Sequence, residues 1–108
     1  MAVTPRLVRV GHSPDPDDAF MFHALTTGLI DTPGYNFEHV LLDIETLNEK
    51  AKLGEYEVSA VSIHAFPDIS DKYTLMNCGA SMGEGYGPIL VSLESLTLEE
   101  ACTKPIAI

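Results

Sequence analysis

The stretch from Pro5 to Phe22, with the sequence PRLVRVGHSPDPDDAFMF, decides the fold class. From Pro5 to Gly11 apolar and polar side chains alternate with a period of two, which is typical of a β-strand. The turn from Ser13 to Asp18 is rich in residue types that begin helices, and the largely apolar segment after it ends at Gly28. A strand, a short turn and a helix in this order predict the opening unit of an α/β fold.

The same alternation of strand-like and helix-like segments continues along the rest of the chain. It predicts strands near residues 6–11, 37–42, 58–62, 73–76 and 88–92, and helices near residues 17–27, 44–53, 65–70 and 97–101. Joints of only a few residues imply right-handed crossovers between neighbouring strands. We therefore predict an α/β fold with a mainly parallel sheet and helices on both of its faces.

The last five residues, Lys104 to Ile108, read as the start of a buried strand with no polar tail behind it. We expect residues 1–103 to form an N-terminal lobe and residues 104–108 to begin a strand that leads to a second lobe. Without that lobe, Ile106 and Ile108 would lie in an unpaired strand. Such an edge is a template for pairing, so we expect self-association of this chain through it.

The charge of the chain restricts its partners. Sixteen acidic and six basic residues give a net charge of −10, which argues against a nucleic-acid partner because a polyphosphate needs a basic face. A small anionic substrate stays compatible, since helix N-termini and backbone amides bind carboxylates. No apolar run reaches the length of a membrane span, and the first eleven residues lack a signal-peptide pattern, so we expect a cytoplasmic protein. Cys78 and Cys102 fit no zinc or redox spacing and are interpreted as small apolar fillers.

Short polar residues follow the predicted strands at four places. Open α/β sheets bind ligands at the carboxyl ends of their strands, and several such ends meet at one edge. We therefore expect one cleft there. Its candidate segments are Gly11–Asp18, Asp43–Asn48, Ser62–His64 and the loop Gly79–Gly87, which holds four glycines.

Each of these residues also has a purely structural interpretation. Asp17 or Asp18 is expected to cap the first helix, and Asp43 the second. Ser62 is as suited to capping the short third helix as to contacting a ligand. The structural interpretation of His64 is a surface histidine, and that of the glycines is a role in backbone turns.

A metal site is a sharper alternative for the first turn. His12, Asp15, Asp17 and Asp18 lie close together in sequence, and hard cations favour clustered carboxylates. However, two prolines separate these side chains, and their spacing fits no known calcium or zinc motif. The sequence therefore predicts no metal.

Four motifs in this order resemble the 1,4-dihydroxy-6-naphthoate synthase family. The segment Gly11–Phe22 is similar to the family's Ser-Pro-x-Pro-(Asn/Asp)-Asp-x-Phe, and Asp43–Asn48 to its Asp-x-Glu-Thr-Leu-Asn. Ser62 before a short helix is the third, and Gly83–Pro88 resembles Gly-x-Gly-x-Gly-Pro. Together they cover nearly the whole chain.

The resemblance implies a fold, a reaction and a set of binding residues. The fold is of the type II periplasmic-binding-protein type, with two lobes that close on the ligand. The reaction is the lyase step of the futalosine route to menaquinone, in which cyclic dehypoxanthine futalosine yields 1,4-dihydroxy-6-naphthoate without a cofactor. The implied substrate-binding residues are Ser13, Asp18, Asn48, Ser62, Gly85 and Gly87.

The catalytic residue is not among those that the resemblance carries over. The family's proposed base is a histidine of the second lobe, which His12, His23, His39 and His64 do not match. A relative has Asn and Thr where this chain has Asp17 and Ala19, while His12 replaces an apolar residue and His64 a small one. These departures leave the related chorismate dehydratase open as an alternative. A second alternative, from a different class, is a non-catalytic two-lobed solute-binding protein for a small anion.

Overall fold

A computed structural model describes residues 4–85 and 87–107 of the chain. Its elements are β1 (Arg6–His12), α1 (Pro16–Thr26), β2 (Tyr35–Leu41), α2 (Ile44–Lys52), β3 (Val58–Ser59), a 3-10 helix (Ile63–Asp68) and α3 (Leu98–Ala101). Among the helices described, none has both the length and the apolar character that a membrane crossing requires.

The three strands form one parallel sheet in the order β2-β1-β3. The register between β1 and β2 runs from Arg6 opposite Tyr35 to His12 opposite Leu41, and Val10 lies opposite Val58 of β3. The predicted α/β fold class with a parallel sheet is therefore confirmed. The predicted third helix forms as a 3-10 helix that begins two residues earlier than expected.

Helices cover both faces of the sheet, as predicted. Successive side chains of a strand point to opposite faces of the sheet, so residues 11 and 12 lie on different faces. A Cβ placed on Gly11 would lie 2.8 Å from Cδ2 of Leu47, which belongs to α2. The ring of His12 stacks instead on Phe22 of α1, with ring centroids 4.3 Å apart. The two helices thus pack on opposite faces of β1.

The close approach of α2 to β1 requires a glycine at residue 11. The Cβ of an alanine there would also lie 2.9 Å from Cδ2 of Tyr56, and Leu47 is fully buried. Overpacking of this kind costs about 1–3 kcal/mol. We therefore expect Gly11→Ala to lower the free energy of unfolding in urea by about that amount, whereas Gly87→Ala, whose Cβ would meet nothing within 4 Å, should leave it nearly unchanged. Equal stability of the two variants would contradict the packing described.

The core lies between α2, β1 and the 3-10 helix. Its apolar side chains are Leu47, Ala51, Tyr56 and Ile69, each at most 8% exposed, whereas Val10, 2% exposed, lies on the opposite face of β1 with His12. The Tyr73 hydroxyl donates a 2.7 Å hydrogen bond to the carbonyl oxygen of Tyr56. This bond ties the segment after the 3-10 helix back to the sheet.

An ion pair joins β1 to the residue that precedes β3. Glu57 accepts hydrogen bonds from the backbone N–H of Arg9 at 2.8 Å, from its Nε at 3.1 Å and from its Nη2 at 2.8 Å. Hydrogen bonds from the guanidinium and then from the backbone N–H lower the pKa of Glu57 from its ordinary 4.5 to about 2. A carboxylate held by paired guanidinium N–H groups is fixed in direction as well as in charge.

The stability of the protein should depend on pH partly through Glu57. Because the pKa is lower in the folded than in the unfolded state, the contribution is complete above the unfolded value of 4.5 and is lost as the pH falls towards 2. Glu57→Gln should make urea unfolding less sensitive to pH in that window, while Glu94→Gln in an exposed turn should not. Identical acid profiles for wild type and Glu57→Gln would refute this role.

Apart from the short helix α3, the chain beyond Tyr73 is extended and does not form the predicted strands 73–76 and 88–92. A strand needs a neighbour for its N–H and C=O groups, and no described residue pairs with these segments. Val91 and Leu93 are accordingly 83% and 107% exposed. Residues 104–107 form no strand either, and Ile108 lies outside the described residues. The Cα radius of gyration, 18.6 Å, therefore exceeds the ~13 Å of a compact chain of this length.

Two local expectations about this extended part had different outcomes. The predicted helix near residues 97–101 is confirmed: Thr97 and Glu100 form a reciprocal capping box at the start of α3. The interpretation of Cys78 and Cys102 as apolar fillers is wrong, since both are exposed free thiols. Both lie beyond Tyr73, outside the core between α2 and the sheet, and Cys102 directly follows α3.

Candidate functional site

The segments that follow the three strands stay together at the carboxyl edge of the sheet. Leu42 N–H donates to the carbonyl oxygen of His12 at 3.1 Å, and Ala60 N–H donates to that of Gly11 at 2.7 Å. These bonds continue the pairing of β1 with both neighbours past the strand ends. Ser13 and Ser62 consequently lie at the same edge, as predicted from their positions after the strands.

Three hydrogen bonds define the conformation of the turn at Ser13, which is 6% exposed. Its N–H donates to Oδ2 of Asp18 at 2.7 Å, and its Oγ accepts from Asp15 N–H at 3.0 Å. The third joins the Ser13 carbonyl oxygen to Nδ1 of His12 at 3.1 Å. The turn is thus held on its N–H, its hydroxyl and its carbonyl group.

The expectation that Asp17 or Asp18 caps α1 is wrong. Asp15 occupies the N-cap position, and Pro16 begins the helix. Asp18 lies in the first helical turn, from which its carboxylate reaches back to Ser13 outside the helix. A carboxylate is favoured there by the helix dipole, and here it also holds the turn.

Asn48 and Ser62 meet at the same edge although they are 14 residues apart. Ser62 N–H donates to Oδ1 of Asn48 at 2.9 Å. An N–H donor must face the amide oxygen, so the Nδ2 group of Asn48 points away from Ser62, and its two donors have no hydrogen-bond partner among the described residues. Ser62 occupies the N-cap position of the 3-10 helix, yet its hydroxyl makes no capping bond there. The pair therefore offers amide N–H and hydroxyl groups to a ligand.

Asp43 caps α2, which is the structural role predicted for it as an alternative to ligand binding. Its carboxylate accepts hydrogen bonds from Thr46 N–H at 2.9 Å and from the Thr46 hydroxyl at 2.6 Å, which caps α2. The Thr46 hydroxyl and then its backbone N–H lower the pKa of Asp43. Asp43 thereby fixes the start of the helix that carries Asn48.

The structure brings only the beginning of the glycine loop near this edge. The Ser81 hydroxyl is the main cause that lowers the pKa of Asp17, so Ser81 lies at the start of α1. A Cβ on Gly79 would lie 3.6 Å from Sδ of Met21. In contrast, a Cβ on Gly85 or Gly87 would meet no described atom within 4 Å, and Tyr86 lies outside the described residues. The space around both Cβ positions is thus open among the described residues.

A pair of histidines at this edge was missed by the sequence interpretation. Nε2 of His12 lies 3.0 Å from Nδ1 of His39, which belongs to β2. His39 lies opposite Val10, two residues before His12, and so shares a face of the sheet with His12. Only the strand register reveals this juxtaposition. His64, in contrast, is an exposed residue of the 3-10 helix. This agrees with its interpretation as a surface histidine.

The described residues contain no group of three or more His, Cys, Asp or Glu side chains placed to hold a metal ion. The ring of His12 packs against Phe22 and His39. Asp18 hydrogen-bonds the Ser13 N–H group. Asp18, one of these closely spaced acidic residues, thus stabilises the turn at Ser13.

Comparison with known proteins identifies a matching family model and two similar enzymes. A family model described as "Menaquinone biosynthesis" matches residues 8–108. The chain is 38% identical over 85 residues to a 1,4-dihydroxy-6-naphthoate synthase of Thermus thermophilus, covering 79% of this chain and 31% of the relative. It is 34% identical over 89 residues to the enzyme of that name from Streptomyces coelicolor, covering 82% of this chain and 31% of the relative.

A solved structure is also similar. The crystal structure of protein AF1704 from Archaeoglobus fulgidus matches with a TM-score of 0.71 and 56% sequence identity, covering 75% of this chain and 30% of that one. The chain thus spans about a third of the length of the curated relatives it matches.

Proposed function

Since the chain belongs to the menaquinone biosynthesis family, we propose that it forms the N-terminal lobe of an enzyme that makes 1,4-dihydroxy-6-naphthoate. Residues 1–103 supply one wall of a cleft, and a second lobe of the type II periplasmic-binding-protein kind supplies the other. The parallel sheet with helices on both faces supports this fold. The names of the two curated relatives support the product.

The contact between Asn48 and Ser62 is the observation that carries the proposal. It joins two motifs from different strand ends at 2.9 Å, and two amide donors and a hydroxyl have no hydrogen-bond partner among the described residues. Neutral donors at the carboxyl edge of a sheet suit a carboxylate ligand in a protein with a charge of −10, because they attract the anion without needing a cation. We assign the carboxylate of cyclic dehypoxanthine futalosine to these groups.

The other proposed binding residues have different roles in this site. The Ser13 turn forms the side of the site next to α1, and Asp18 holds that turn through the Ser13 N–H group. Gly85 and Gly87 are kept in the proposal on the resemblance of their motif. The base that starts the lyase reaction is expected in the second lobe.

The experiment is an assay of the full-length protein with cyclic dehypoxanthine futalosine and, separately, with chorismate. We expect 1,4-dihydroxy-6-naphthoate from the first substrate and no dehydration of the second. Conversion of chorismate alone would assign the protein to the related dehydratase. Binding of the futalosine derivative without turnover would assign it to solute-binding proteins, and either result would refute the proposed function.

A further inference from the structure

The His12–His39 pair lies beside the proposed site, with His12 almost fully buried and His39 partly buried. His12 is 2% exposed, its ring stacks on Phe22, and its two nitrogens face the Ser13 carbonyl oxygen and His39. The Nε2 atom of His39 is also buried and has no hydrogen-bond partner among the described residues. A polar pair in such a place needs an explanation, because burying these groups costs free energy.

The hydrogen bonds fix the tautomer of both rings. A carbonyl oxygen only accepts, so Nδ1 of His12 carries the proton that it donates to Ser13. In a neutral ring Nε2 of His12 is then a bare acceptor, and Nδ1 of His39 must be its donor. Both rings therefore have the Nδ1–H tautomer, whereas the Nε2–H tautomer predominates in free histidine.

The electrostatics of His39 favour its neutral ring. Burial, and secondarily the proximity of His12, lower the pKa of His39 below its ordinary 6.5. A proton on Nε2 of His12 would place two N–H groups against each other across 3.0 Å. When both rings are neutral, His39 donates a hydrogen bond to His12, and His12 donates one to the Ser13 carbonyl oxygen.

We propose that His39 and His12 are positioning residues that hold the Ser13 turn in its ligand-binding conformation. His39 orients His12, His12 fixes the Ser13 carbonyl group, and Asp18 fixes the Ser13 N–H group from the other side. Both peptide groups of Ser13 are thereby held before a ligand arrives, which is the preorganisation that binding sites need. This inference deepens the proposed function and rests on it for the identity of the ligand.

Nitrogen NMR of the full-length protein tests the tautomers without any activity assay. With ¹⁵N-labelled histidine near neutral pH, His12 and His39 should each show a protonated Nδ1 and a bare Nε2. The exposed His23 serves as the reference for the free tautomer. An Nε2–H tautomer at His12 would overturn the inference, whatever the substrate of the protein.

Two variants of His39 test its positioning role. His39→Leu removes the donor and should raise KM by about tenfold, the factor that one ordinary hydrogen bond supplies, with kcat little changed. His39→Asn places an amide N–H near the former Nδ1 and should restore most of KM. His23→Asn is the matched control and should leave both constants unchanged.

The kinetic outcomes separate positioning from a merely structural role. If His39 only supported folding, His39→Leu would lower the active fraction and hence the apparent kcat, with KM unchanged and no specific rescue by asparagine. That result would overturn the inference. If the wild type did not act on cyclic dehypoxanthine futalosine, the proposed function would fail, and the same variants would be compared through the dissociation constant of whichever substrate it does bind.

Discussion

Residues 1–108 on their own are expected to release no detectable 1,4-dihydroxy-6-naphthoate from cyclic dehypoxanthine futalosine. In our proposal they supply one wall of the cleft, and closure of both walls excludes water and completes the catalytic groups. Loss of a positioned base alone costs about 10²–10⁴-fold in rate, and loss of half the binding surface adds to this. Absorbance of the naphthoate product gives the measurement.

The control for this experiment is the full-length protein, purified and assayed in the same way. Circular dichroism of residues 1–108 must first show the helices α1 and α2, so that inactivity is not read from an unfolded chain. Sedimentation then tests self-association through the exposed C-terminal segment. Turnover comparable to the full-length protein would place the catalytic group among these residues, with His12 and His64 as the first candidates for mutation.

Asn48→Asp in the full-length protein is expected to lower kcat/KM by roughly 10²–10³-fold with little change in stability. Its carboxylate still accepts the Ser62 N–H group, so the fold contact remains. However, an anionic oxygen replaces the amide donors, and placing a like charge against an anionic ligand costs about 2–5 kcal/mol. Steady-state kinetics and urea unfolding give the two measurements.

A matched control separates the effect of a negative charge at residue 48 from the effect of the protein's net charge. Asn36→Asp makes the same chemical change at an exposed residue near the amino end of β2. It should leave kcat/KM within about twofold, because exposed charges in water are strongly screened. Equal losses in both variants would mean that net charge and not the Asn48 position controls binding, and the assignment of Asn48 would fail.

The parts of the fold that depend on local sequence could be predicted. The alternation from Pro5 to Gly11 and the glycines after α1 and α2 gave helix and strand positions close to those observed, because caps and periodicity act within a few residues. Segments 73–76 and 88–92 have strand-like composition but form no strand. Pairing depends on a neighbour elsewhere, which no local pattern reports.

The site was predictable to a similar extent. The placement of Ser13, Asn48 and Ser62 at one edge follows from the topology of a parallel sheet. The role of Asp18 was missed because its carboxylate has two partners within reach, the helix amides and the Ser13 N–H group, and only geometry selects between them. The His12–His39 contact depends on the register of β1 against β2, which composition does not encode.

The most direct test of the central claim is a crystal structure of the full-length protein with its naphthoate product bound. We predict that the product carboxylate lies at the carboxyl edge of the sheet. Nδ2 of Asn48 and the hydroxyl of Ser62 should both be about 2.7–3.2 Å from its oxygens. A product bound elsewhere, for example at the opposite edge beside Arg6 and Lys72, with Asn48 and Ser62 free, would contradict the account.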